Sequence, residues 1–137
     1  FIVSMCFVGF LEELIFRGLL FVAMCRSNVK SAIVVSSVTF GVGHIVNLLN
    51  GAPVFDTVCQ IVYAVAIGFC FTVVFKTGKS LIPCIIAHFV VNASSAFNVA
   101  FADMQMYIIV TIFLTVVSAG YAIYLAVRYK DKLLEAI

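Results

Sequence analysis

Charge is scarce in this chain: only 10% of its 137 residues are Asp, Glu, Lys or Arg, against 65% hydrophobic residues. Side chains of that composition cannot solvate the surface of a soluble domain, so the chain reads as a membrane protein. No CxxC spacing links the five cysteines (Cys6, Cys25, Cys59, Cys70 and Cys84), and their odd number, scattered through apolar runs, argues against a disulfide framework. They read as small buried hydrophobes. There is no basic patch with interleaved aromatics, and the net charge of +2 comes from a few residues in short connections, which excludes nucleic acid as a partner. Internal repeats, linkers and low-complexity tracts are also missing, so residues 1–137 read as one transmembrane domain. No charged segment precedes the first apolar run, which argues against a signal peptide, and further helices are expected ahead of Phe1.

What is present is apolar sequence in spanning lengths. Runs at about 1–25, 31–49, 54–75, 80–99 and 104–128 are separated by Arg26-Ser27-Asn28-Val29-Lys30, Asn50-Gly51-Ala52-Pro53, Lys76-Thr77-Gly78-Lys79 and Ala102-Asp103. The expectation is an all-α, polytopic bundle of about five membrane helices with a polar tail from Arg128. Lys and Arg occupy the first and third connections and the tail, while the second and fourth have only Asp56 and Asp103 nearby. By the positive-inside rule, the connections at 26–30 and 76–79 and the C-terminus are expected on the cytoplasmic side of a multi-pass protein of the cell membrane, with Phe1 outside.

Against this background the stretch Gly9-Phe10-Leu11-Glu12-Glu13-Leu14-Ile15-Phe16-Arg17-Gly18 places two carboxylates and an arginine inside an apolar helix. Ionisable groups at membrane depth cost several kcal/mol and usually face a bundle interior or an aqueous cavity. Glu13 and Arg17 share a helix face at four residues' separation, in the favourable order, whereas Glu12 points about 100° away without a local partner. Glu13 and Arg17 therefore read as a buried pair and Glu12 as the free carboxylate.

The only two histidines, His44 and His88, also fall inside apolar runs. Counted at about 1.5 Å per residue, Glu12 and Glu13 lie about 20 Å from Arg26, His44 about 20 Å from Lys30, and His88 and Asn92 about 14 and 20 Å from Lys79. These groups share one level in the bilayer. Glu12 and His44 could hold and deprotonate a water, while His88 and Asn92, four apart on one face, could donate to a developing oxyanion. A site of that kind hydrolyses an amide. Phe16 and Phe40 adjoin the polar residues and are expected to shape the pocket, Gly41 and Gly43 to allow close helix packing, and Asn47 to anchor a helix end. The ligand types also allow an open three-ligand zinc site from Glu12, His44 and His88, although no HExxH helix is present. The favoured reading is a metal-free, glutamate-activated water, with the zinc site as its alternative.

The ordered set Glu12-Glu13-x-x-x-Arg17, Phe40-x-x-x-His44 and His88-x-x-x-Asn92 resembles the CAAX protease and bacteriocin-processing (CPBP or ABI) family of intramembrane endopeptidases. The resemblance spans Glu12 to Asn92, and family members usually have more spans than the five read here. It implies that Glu12 activates the water with His44 as its partner, that His88 and Asn92 form the oxyanion site, and that Arg17 is structural, paired with Glu13. The family has been described as metalloproteases. The implied substrate is a membrane-associated peptide, either a prenylated CAAX-type C-terminus or a leader peptide. Two other classes compete. A proton-coupled transporter also carries Glu and His at mid-membrane, but the inverted repeats typical of transporters are not visible. A non-catalytic bacteriocin-immunity or scaffold protein would have no need of an unpaired Glu12 in lipid.

Overall fold

The computed structural model describes residues 2–94 and 104–135, with the side chain of Ile2 left aside. These residues form a helical bundle without strands. Helix α1 is α-helical over Ile2–Glu13, π-helical over Leu14–Phe21 and α-helical again over Val22–Cys25. Helix α2 runs over Val29–Gly43 and tightens into a 3-10 stretch at His44–Leu48. Helix α3 is Val54–Gly78, α4 is Ile82–Ser94, α5 is Met104–Arg128 and the short α6 is Lys130–Leu134.

Local chemistry sets the boundaries. Asn28 caps α2, its side-chain oxygen accepting from the Ser31 N–H at 2.9 Å, which satisfies one of the donors a helix start leaves unpaired. The turn before α3 uses Gly51 at φ 83°, a conformation glycine adopts without steric cost, and Pro53 stands immediately ahead of the helix. Pro83 sits in the first turn of α4, where its missing N–H has no intrahelical partner to lose. Helix α3 ends at Lys79, which takes the left-handed conformation at φ 55° and donates its N–H to the Phe75 carbonyl at 2.7 Å.

Helices α1 to α5 fall on the five apolar runs, and α6 lies in the polar tail. Val29–Leu48, Val54–Gly78 and Met104–Arg128 are each long and apolar enough to cross a membrane, while Ile82–Ser94 is a shorter apolar helix as far as it is described. The end of the fourth run, the Ala102-Asp103 break and Phe1 lie outside the described residues. One boundary moves. Lys76 and Thr77, read from the sequence as connection, belong to the last turns of α3, because helical hydrogen bonding outlasts the apolar run that ends at Phe75. Lys76 is buried there and donates from Nζ to the Glu135 carbonyl, which ties the chain after α6 to the end of α3.

Backbone proximity joins α2 to α3. A Cβ placed on Gly41 would come within 2.3 Å of Val65 Cγ2 and 2.7 Å of the Val65 nitrogen, and one on Gly68 within 2.9 Å of the Ser37 carbonyl oxygen. Small residues at such crossings let dispersion contacts act where lipid removes the hydrophobic drive for association. Ser37 donates to the Ile33 carbonyl at 2.7 Å, and Thr72 to the Gly68 carbonyl at 2.8 Å, so the hydroxyls at this crossing are satisfied within their own helices. Phe40, Ile67, Phe71, Cys84 and Leu125 contribute to the buried core, and the long α5 exposes Ile109, Ile112, Phe113 and Val116 in the manner of a lipid-facing surface. All five cysteines are free, three of them buried.

Candidate active site

The π-helical stretch of α1 begins directly after Glu13 and contains Arg17. A regular α-helix is the plain expectation for this sequence, and the wider turn is a departure of the kind that often accompanies functional sites. Its Phe16 carbonyl accepts from the Ser36 hydroxyl of α2 at 2.8 Å, so a neighbouring helix supplies a partner at the irregularity. Both Glu13 and Arg17 are fully buried. Arg17 donates from Nη1 to Glu13 Oε1 at 2.8 Å and from Nη2 to the Gly68 carbonyl at 3.2 Å. The guanidinium lies over the Phe40 ring at 4.2 Å from its centroid and at 5.5 Å from that of Phe71, where its charge meets two aromatic faces.

Glu13 does more than pair with Arg17. The same Oε1 lies 2.8 Å from His88 Nδ1, so one buried oxygen orients a guanidinium from α1 and an imidazole from α4. Helix α1 reaches α4 closely here: a Cβ on Gly9 would lie 3.5 Å from His88 Cγ. The other ring nitrogen, His88 Nε2, is 3.3 Å from Glu12 Oε2. Glu12 is the half-exposed member of the pair, with 29% of its side chain accessible against 0% for Glu13. The contact with His88 is not aligned as a hydrogen bond, and Glu12 Oε2 has no hydrogen-bond partner among the described residues.

Glu12, His44, His88 and Asn92 all line one cavity of about 560 Å³. Its walls add Phe16, Phe40, Gln60 and Tyr63. Phe40 stands edge-on to both imidazoles, with ring centroids 5.6 Å from His44 and 5.5 Å from His88, and Phe16 packs edge-on against Phe40 at 5.3 Å. These two phenylalanines shape the pocket as the sequence suggested. Gly41 is the glycine used for packing, whereas a Cβ on Gly43 would meet nothing within 4 Å, and Gly43 borders the cavity instead.

The three-ligand zinc set of Glu12, His44 and His88 is not assembled. Among the described residues no three His, Cys, Asp or Glu side chains are grouped to hold a metal ion. His88 Nδ1 is taken by Glu13, His88 Nε2 faces Glu12, and His44 Nδ1 faces Gln60 at 3.4 Å. The residues in this arrangement do not fit that site.

Two features escaped the sequence reading. The link from Glu13 to His88 depends on the rotation of α1 against α4, which no spacing reveals. Gln60 gave a usable signal, being an amide within an apolar run seven residues after Pro53. Asn47, read as a helix-end anchor, accepts at its carbonyl from the Asn50 and Ala52 N–H groups at the end of α2 and donates from Nδ2 to Gln60 Oε1 at 2.8 Å.

No curated protein and no solved structure matches this chain. Residues 1–94, which include every motif residue of the cavity, match the family described as type II CAAX prenyl endopeptidase Rce1-like. The chain, an integral membrane helical bundle, belongs to that Rce1-like family.

Proposed function

We propose that this protein is an intramembrane endopeptidase that hydrolyses a peptide bond of a membrane-associated substrate, a prenylated CAAX-type C-terminus or a leader peptide. The observation that carries the reading is the convergence of Glu12, His44, His88 and Asn92 on one cavity within the helical bundle. Family membership supports the same reaction class.

In this mechanism the Glu12 carboxylate accepts a proton from a water that His44 helps to hold, and the water oxygen attacks the scissile carbonyl carbon. Glu12 suits the task because it reaches the cavity and its Oε2 has no hydrogen-bond partner among the described residues. Negative charge then develops on the carbonyl oxygen. In this reading His88 Nε2–H and the Asn92 amide, both lining the cavity, donate to it, and donors fixed before reaction cost no reorganisation in the transition state. Glu13 holds His88 through Nδ1, and Arg17 holds Glu13. With His88 as an imidazolium, the two carboxylates, the guanidinium and the imidazolium sum to zero charge, which suits a low-dielectric interior. When the tetrahedral intermediate collapses, the C–N bond breaks and Glu12 returns the proton to the leaving amine.

The test is cleavage of a fluorogenic peptide with a prenylated CAAX-type C-terminus, and of a leader-type peptide, by the full-length protein in proteoliposomes. Site-specific cleavage of either is expected. Absence of hydrolysis of both by folded protein would contradict the proposal.

A further inference from the structure

His44 begins the 3-10 stretch His44–Leu48, and that winding has a consequence for its neighbours. A 3-10 helix has three residues per turn, so side chains at i and i+3 eclipse, whereas in an α-helix they would be offset by about 60°. His44 and Asn47 therefore stand on one edge of α2, and both face Gln60 of α3. Asn47 Nδ2 donates to Gln60 Oε1 at 2.8 Å, and Gln60 Nε2 lies 3.4 Å from His44 Nδ1.

The amide chemistry gives this chain a direction. Gln60 has one oxygen, which accepts from Asn47, so the group it turns toward His44 is its NH₂. An amide nitrogen donates and does not accept, so the His44 nitrogen facing it must be the acceptor. A neutral imidazole with an unprotonated Nδ1 bears its proton on Nε2. We infer that Asn47 and Gln60 act as positioning residues that fix His44 in the Nε2–H tautomer, making it a hydrogen-bond donor toward the cavity and not a proton acceptor.

The inference rests on the hydrolase reading and divides its labour. The attacking water accepts from His44 Nε2–H, donates one proton to Glu12, and keeps a lone pair for the carbonyl carbon. Glu12 is then the sole base, and His44 aims the water.

In ¹⁵N-histidine spectra of the full-length protein in nanodiscs, the rings of His44 and His88, the two histidines of this sequence, are assigned by the signals that His44→Gln and His88→Gln samples lose. The expected His44 spectrum shows a protonated Nε2 and an unprotonated Nδ1. Asn47→Asp replaces the donor by an acceptor of the same shape. Gln60 then turns its NH₂ toward position 47 and its oxygen toward His44, so the His44 proton is expected to move to Nδ1. In the same variant kcat should fall about 10²-fold, with KM near the wild-type value, as for a misaimed reactant. Gln60→Leu should leave His44 as a mixture of tautomers. A proton on Nδ1 in the wild type, or a His44 signal unchanged in both Asn47→Asp and Gln60→Leu, would overturn the inference. The spectra do not depend on turnover: the expected tautomer in a protein that cleaves nothing would sink the hydrolase reading and leave the assignment of the amide pair standing.

Discussion

Glu13 and His88 are 75 residues apart in the chain and 2.8 Å apart in space, joined through a carboxylate oxygen that also binds Arg17. One buried atom thus couples the helix carrying the two glutamates to the helix carrying the imidazole and carboxamide. The arrangement resembles other buried ion pairs in that its removal is more costly than its presence is stabilising.

Glu13→Ala leaves the fully buried Arg17 without its carboxylate and frees His88 Nδ1. The expected loss is about 3–5 kcal/mol of stability, read as a lowered thermal midpoint in detergent, together with lost activity. Arg17→Lys should not rescue the site, because a single ammonium cannot reproduce the two-pronged contact to Glu13 and the Gly68 carbonyl. An Arg17→Lys protein as stable and active as wild type would contradict this.

The three glycines near the α2–α3 crossing should behave differently. Gly41→Ala and Gly68→Ala force a methyl into backbone and side-chain atoms already within 3 Å of its position, and each should destabilise by about 1–3 kcal/mol. Gly43→Ala meets nothing within 4 Å and should leave the melting temperature unchanged while narrowing the cavity. Equal shifts in all three variants would show that the crossing is looser than described.

Thiol labelling distinguishes the cysteines by packing. Cys6 is exposed, whereas Cys25, Cys70 and Cys84 are buried, Cys84 donating weakly to the Phe71 carbonyl at 3.3 Å. A membrane-permeant maleimide should modify Cys6 in the folded protein and reach the buried three only after denaturation, as judged by mass spectrometry. Fast modification of Cys84 without denaturation would be inconsistent with the core.

Much of this was legible because membranes restrict the solutions. Apolar runs of spanning length have few structural options, so the helices could be placed from composition and breaks alone. Glu12, His44, His88 and Asn92 could be grouped because rise per residue converts sequence position into depth, and the structure places all four on one cavity. Depth carries no information about azimuth, and the misses follow from that. Whether Glu13 turns toward α4 depends on the close contact at Gly9, and the facing of Asn47 depends on a switch from α to 3-10 winding at His44. The π-helical turn after Glu13 likewise has no signature in the residues that form it. Lys76 was misplaced because an apolar run and a helix need not end together.

The most direct test of the account is the rate of peptide hydrolysis by Glu12→Gln. The substitution keeps the shape of a half-exposed side chain while removing its charge beside His88, so the thermal midpoint is measured alongside the rate to show that the variant is folded. Loss of the only base should lower kcat by about 10²–10⁴-fold. A stable Glu12→Gln protein that cleaves at the wild-type rate would contradict the claim that Glu12 activates the water.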